Sequence, residues 1–276
     1  MNEIIKSNKY DALIRSIKRK RIAVIVITLI VFFITITVCS PIQIEVLGEM
    51  IVDYTGINPI ITVFLVLIIF FFELIAYALV SAPLNASLVV ECNPEKHLIL
   101  NYVLNKQRNK EYIYAADLMY MGKYEFALDY ANKMINSKRP LIVLAGLFNK
   151  ARCEFFINDV DSLKNTVKQY ETMLNNMGKL NEKSKSQYIK IQKIMNLLVA
   201  LLDKDNQRIL EYRNIEVWNN SKATQGYVSY LKGVAAYNLG DLNEAIYRLM
   251  DVKENYEKTV FAQLAEQYLS NLNSAK

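Results

Sequence analysis

The stretch Ile60–Val80, IITVFLVLIIFFFELIAYALV, decides how the rest of the chain is read. It carries a single charge, Glu73, in 21 residues, and a helix rising 1.5 Å per residue over that length crosses the ~30 Å of hydrocarbon in a bilayer. A second run precedes it: Ile22–Cys39, IAVIVITLIVFFITITVC, is free of charge over 18 residues. Strongly apolar residues are concentrated before Pro83, and the remainder of the chain is charge-rich and water-soluble in character, so the overall hydrophobic content of 53% averages over two different solvents. The pattern predicts a transmembrane helical hairpin followed by a soluble block large enough to bury its own core.

Charge sets the orientation. Lys6, Lys9, Arg15, Lys18, Arg19, Lys20 and Arg21 precede the first run, whereas Ser40–Pro59 holds Glu45, Glu49 and Asp53 and no Lys or Arg. The tail is therefore expected in the cytoplasm, and two spans return the chain to the same side. The expected division is a basic tail (1–21), a first span (22–39), a short acidic outer loop (40–59), a second span (60–82), a linker (83–94) and a helical domain (95–276). A cleaved secretory signal would also begin with basic residues and an apolar run. Against it, the run is long, Val38-Cys39-Ser40 is a poor cleavage site, and a second full-length run comes after it. In the tail, Ile4, Ile5, Leu13, Ile14 and Ile17 can share one helical side opposite the basic residues, which suits contact with anionic lipid as well as it suits a solvated tail. Glu73 is costly in hydrocarbon unless protonated, paired or wet. It is expected either to face Thr28, Thr35 or Thr37 of the first span or to mark a functional contact; an ion path would require self-association or a partner, because two helices enclose no pore.

The soluble block reads as all-α. Apolar residues recur at three and four, as in Tyr112, Ala115, Ala116, Met119 and Tyr120, and again in Phe261, Leu264, Ala265, Tyr268 and Leu269. With only 8 Gly and 5 Pro the chain lacks the turn residues an all-β fold would need.

Two segments are self-similar. Glu111–Ile135, EYIYAADLMYMGKYEFALDYANKMI, aligns without gaps on Ser229–Lys253, SYLKGVAAYNLGDLNEAIYRLMDVK, placing Gly122 over Gly240, Ala127 over Ala245 and Ala115 over Gly233. The glycines can take the left-handed turn that ends a helix, and the small residues let two helix backbones approach. Leu147–Tyr170 repeats the frame in degenerate form, with Ala151 at the small position, Asn158 at the turn and Leu163 in place of the alanine; Lys190–Arg213 is a fourth copy turning about Lys204–Asn206. Met177–Ser186, rich in Asn, Lys, Ser and Gly, is expected to be a long loop or a helix-end region. With these features the chain resembles the tetratricopeptide repeat (TPR), in a membrane-anchored protein of bacterial type, to which its abundance of Asn, Lys and Ile also points. The usual tryptophan near the start of a unit is absent.

The resemblance implies an α-solenoid of about four helical hairpins, Lys258–Leu272 as a closing helix, and a groove lined by the first helix of each unit. Carried over by position, the groove candidates are Asn109, Tyr112, Met119, Tyr120, Phe148, Asn149, Arg152, Phe156, Tyr227, Tyr230, Tyr237 and Asn238; Ala115, Gly122, Ala127, Gly233, Gly240 and Ala245 pack the repeats. Each aromatic could equally fill core between repeats. The Lys and Asn clamp with which some relatives grip a carboxylate tail is not reproduced, since Tyr112 and Ala116 stand in those places.

Chemistry-bearing motifs are missing. His97, between Lys96 and Leu98, reads as a surface or helix-start residue; Cys39, Cys92 and Cys153 form no CxxC pair; P-loop, GxSxG, HExxH and GxGxxG patterns are absent. Asp159 with Asp161 and Asp203 with Asp205 fall in expected turns, where Asp caps a helix or solvates a loop. From Leu88 onward 26 Lys and Arg stand against 21 Asp and Glu, an excess too small and too dispersed for a nucleic-acid surface. The sequence thus leads to a non-enzymatic adaptor or scaffold in the plasma (inner) membrane, needing no cofactor or metal. Its partners would be membrane lipid and a protein or peptide, with self-association left open. The alternatives are an accessory or regulatory subunit of a transport or secretion complex acting through Glu73, and a membrane-tethered peptide sensor.

Overall fold

The computed structural model describes residues 8–39, 42–46, 49–53, 59–104, 111–177 and 182–274. They are helical apart from one two-stranded ribbon, and the chain divides into two units, Asn8–Leu84 and Asn85–Lys276.

In the first unit a 3-10 turn (Asn8–Tyr10) leads into α1 (Asp11–Cys39), and α2 (Pro59–Val89) comes after an antiparallel ribbon, β1 (Ile42–Val46) and β2 (Glu49–Asp53), with Ile44 opposite Ile51. The segment expected as a loop is thus a hairpin where described, and the alternation Ile42-Gln43-Ile44-Glu45-Val46 is the period-two signal for it. One helix, over Val63–Leu84, is long and apolar enough to cross a membrane: its mean hydropathy is 2.8 and none of that window is buried within the protein. Phe64, Phe71, Phe72 and Leu79 are exposed on it, as are Ile22, Leu29 and Phe33 on α1. Arg21 Nη2 donates to Ser81 Oγ at 2.8 Å, with its guanidinium 4.9 Å from the Tyr77 ring centre. Ile14 and Ile17 are buried while Lys18, Arg19 and Lys20 are exposed, the segregation expected of an amphipathic start. α2 continues through Pro83 to Val89, so most of the expected linker is helix; proline removes one backbone hydrogen bond, and the residues after it remain helix-compatible.

The second unit is built from one device used four times. α4 (Glu111–Tyr120) turns into α5 (Tyr124–Ile135), α6 (Pro140–Phe156) into α7 (Val160–Asn176), α8 (Glu182–Asp203) into α9 (Asn206–Tyr212), and α10 (Lys222–Asn238) into α11 (Leu242–Asn255). The residues at these turns, Gly122, Asn158, Lys204 and Gly240, have φ of 74°, 60°, 54° and 78°. After each, the next N–H reaches back five residues: Lys123 to Leu118 O at 2.8 Å, Asp159 to Glu154 O at 2.9 Å, Asp205 to Ala200 O and Asp241 to Ala236 O at 3.0 Å. These are Schellman closures, satisfying carbonyls the helix end would strand. In three of the four an aspartate then caps the following helix: Asp159 accepts from Ser162 N, Asp205 from Arg208 N and Asp241 from Glu244 N.

The turns set packing. Counting from the left-handed residue, the second helix buries its side chains at the same offsets each time: Ala127, Ala131 and Met134; Leu163, Val167 and Tyr170; Ala245, Leu249 and Val252. That narrow stripe leaves the rest of each outer helix in water. The first helices are buried far more completely, α10 along nearly its whole length. From α3 (Pro94–Leu104) to α12 (Val260–Ser274) every helix packs on the next, and α4, α6, α8, α10 and α12 also touch in succession. Gly233 permits the α10–α11 approach, since a Cβ there would meet Leu249 Cδ2 at 2.9 Å. Of the two readings for Met177–Ser186, the helix-end one fits the described residues: α7 ends at its cap residue Met177 and α8 begins at Glu182, where the polarity of Lys185, Ser186 and Gln187 reflects an exposed helix face.

A left-handed alanine costs about 1–2 kcal/mol, so Gly240→Ala, whose Cβ would meet nothing, should lose about that much. Gly122→Ala should lose more, because its Cβ would lie 2.8 Å from Val260 Cγ2. Val260→Ala should restore part of the loss in the Gly122 variant and none in the Gly240 variant, as read by denaturant unfolding.

Candidate functional site

The first helices α4, α6, α8 and α10, with the segment before α10, enclose a cavity of about 500 Å³. Five of the positions expected to line a groove are on its wall: Tyr112, Tyr120, Phe148, Asn149 and Arg152. Tyr112 is half exposed at 51%, while the other four are buried at 4% or less.

The remaining candidates lie elsewhere. Met119, Tyr227 and Tyr230 are buried, and Phe156 is partly buried among them, stacked on Tyr124 at 5.0 Å and within 6.3 Å of the Tyr227, Tyr230 and Phe261 rings. Tyr237 and Asn238 are partly buried, Tyr237 with its ring edge-on to Tyr268 at 5.2 Å. Asn109 lies outside the described residues. The reason most of these rings face inward is that the row of helices meets itself. Tyr120 on α4 hydrogen-bonds Thr224 on α10 at 3.1 Å and packs edge-on to Phe261 on α12 at 5.9 Å. Aromatic area expected to greet a partner is thereby used between the first pair of helices and the last, where each ring contact adds about 0.5–1.5 kcal/mol beyond its burial.

The expected packing residues differ in their surroundings. Ala115, Ala127 and Ala245 are 0% exposed, and Gly122 and Gly240 occupy the left-handed turns.

Several cavity residues were not singled out from the sequence for binding. His97, at the start of α3, is a helix-start residue as expected but is not at the surface: its side chain is 12% exposed, with Nδ1 2.7 Å from Oδ2 of the buried Asp117. Burial pushes the Asp117 carboxyl above its usual range, with the His97 charge and hydrogen bond opposing. Trp218, the chain's one tryptophan, meets Phe148 edge-on at 4.9 Å. Its rarity was the available signal, but nothing in its local spacing ties it to α6. Tyr188, Asn219 and Ser221 complete the rim.

Arg152 is the centre of the wall. Its guanidinium lies 4.5 Å from the Phe148 ring centre, 5.4 Å from Tyr120, 5.5 Å from Tyr227 and 5.7 Å from Trp218. Nη2 donates to Asn149 Oδ1 and Nη1 to Tyr120 Oη at 3.4 Å, while Nε has no partner. The buried thiols offer no nucleophile: burial pushes Cys92 up to about 11 and Cys153 up to about 12. Among the described residues no three His, Cys, Asp or Glu side chains gather as metal ligands.

Comparison of the chain with protein-family models, curated proteins and solved structures returns no match.

Two neighbouring hydroxyls should behave oppositely. Tyr120→Phe loses bonds to Thr224 and Arg152 and should destabilise by about 1–3 kcal/mol, whereas the buried Tyr227 hydroxyl has no partner, so Tyr227→Phe should leave the melting temperature unchanged or raise it. The raised Asp117 means the folded chain holds that proton more tightly than the unfolded chain. This group therefore makes stability fall as pH rises from about 4 through the raised value, and Asp117→Asn should flatten that part of the stability–pH curve.

Proposed function

We propose that this protein is a non-enzymatic, membrane-anchored adaptor: a two-span hairpin holds a TPR-like α-solenoid at the cytoplasmic face of a bacterial plasma membrane, where its inner helices receive a protein or peptide. The observation that carries the anchor is the unshielded Val63–Leu84 helix. Exposed Ile22, Leu29 and Phe33 give α1 the same need for a lipid solvent, and seven basic residues before Ile22 against none in 40–59 support cytoplasmic termini. For the repeat reading, the support is the fourfold left-handed turn and the common offsets of the buried stripes. Beside the inner-helix cavity, half-exposed Tyr112 on the rim is the place for a partner's side chain. Anchoring raises the local concentration of other membrane components and makes a weak groove sufficient.

A second reading, a regulatory subunit of a transport or secretion complex, rests on Glu73. It is partly buried and shares a recess of about 300 Å³ with Thr28, Val24, Ile69 and Ala76, while Thr35 and Thr37 bond back to their own helix at 2.8 Å and do not engage it.

Carbonate washing of membranes should leave the full-length protein in the pellet, and a cysteine added at the C-terminus should resist impermeant maleimide in intact cells; release or labelling would reject the anchor or its orientation. A photo-crosslinker at Tyr112 should capture a partner that Glu73→Gln does not abolish. Loss of capture only in Glu73→Gln would favour the second reading.

A further inference from the structure

Arg152 carries a charge that nothing in the described chain balances. The residue is 2% exposed, its guanidinium cannot lose its proton, and its partners are an amide oxygen, a phenol and four aromatic rings. The two nearby buried carboxyls are directed elsewhere: Asp117 toward His97 at 2.7 Å and Glu154 toward Lys150 at 3.6 Å. Among the described residues no carboxylate lies within ion-pair distance of Arg152. Cation–π contacts offset only part of what burying an unpaired ion costs. Such an arrangement is retained at a binding site more readily than in inert core, because an incoming anion gains what the fold leaves unsatisfied.

We propose that the 500 Å³ cavity binds a small monocarboxylic acid with an apolar or aromatic body, its carboxylate taken by Arg152. Three features select that chemistry. A single guanidinium fork matches one planar carboxylate, whereas a phosphate dianion would call for further cations or a row of backbone N–H groups. Leu144, Phe148, Ile191 and Trp218 give the cavity apolar walls that suit the body of such a ligand. Asn219, whose Oδ1 already accepts from Ser221 N, keeps its amide N–H groups for a second, weaker contact. The cavity's size is that of a small-molecule site and not of an extended chain, so this site goes beyond the adaptor reading: it gives the helical domain a small-molecule input separate from any protein bound at its rim.

The chain reports on itself, because Trp218 is its only tryptophan and stands 5.7 Å from the Arg152 guanidinium. Full-length protein in nanodiscs would be titrated with 3-phenylpropionate and octanoate, with the matching primary amides as neutral controls, reading Trp218 fluorescence and checking affinity by calorimetry. The acids should bind saturably and at least about ten-fold more tightly than the amides, the size expected when a charge-assisted hydrogen bond is lost. Arg152→Met should abolish the acid preference, and Arg152→Lys, which keeps the charge without the fork, should weaken it. Equal affinity of acid and amide in the native protein would overturn the proposal without recourse to a variant that might not fold. So would silence of Trp218 and of the calorimeter toward every probe, or binding confined to a peptide C-terminus such as that of acetyl-Ala-Leu-Phe with no response to the free acids. None of these outcomes bears on membrane anchoring, which carbonate washing reads separately.

Discussion

The helical unit depends on a backbone constraint: at Gly122, Asn158, Lys204 and Gly240 the chain enters the left-handed region, and the next residue's N–H closes back onto the helix just finished. This ends one helix and aims the next within two residues, so paired helices must lie against each other. Glycine meets the requirement at no steric cost, and asparagine at little. Lysine at 204 meets it only because the surroundings hold it there: Leu201 O and Ala200 O accept the flanking N–H groups, and Asp205 caps the next helix. Once four such turns exist, the outer helices need only a narrow apolar stripe, while the inner helices, touched on several sides, must be apolar nearly all round.

Inner helices that stack in succession need not leave an open groove. Here Tyr120, Phe156, Tyr230 and Phe261 join the first two pairs of helices to α10 and α12, and the inner surface is largely consumed as core. What stays open is the cavity beside Arg152. The same rings that fill the interior surround that guanidinium, so closure and the uncompensated charge are two results of one packing arrangement.

The two units of the chain cover their apolar side chains differently. In the first, Phe64, Phe71, Phe72 and Leu79 have no protein shield. In the second, Phe148, Phe155, Phe261 and Leu144 are buried by protein, and the large apolar residues left exposed, such as Phe126, Leu210 and Tyr247, are scattered among the outer helices and not gathered along one helix. Arg21 and Ser81 add a polar contact between α1 and α2, on the basic side of the apolar runs.

Much of the helical unit is legible in the chain's own order. Gly122, Asn158, Lys204–Asn206 and Gly240 are expected as turns, Asp159 and Asp205 as caps, and Ala115, Ala127 and Ala245 as contact points. All of these come from local stereochemistry and from spacing along one helix. The ribbon over Ile42–Asp53 escapes such a reading, and the helix beginning at Glu182 is only one of two readings there, because polarity can mark alternation or an exposed face as well as irregular backbone. Which aromatic rings are buried is beyond it altogether: Tyr120 and Phe261 are far apart in sequence, and only the accumulated geometry of four turns determines that they meet. The pairing of His97 with Asp117 and the enclosure of Arg152 by Tyr120, Tyr227 and Trp218 are likewise long-range; Phe148, one turn earlier on the same helix, is the local member of that enclosure. Sequence alone determined the apolar runs, the turns and the helix faces, because those are properties of neighbours; tertiary structure decided which groups lost water and which charge went unanswered, because that depends on what distant segments bring to the same place.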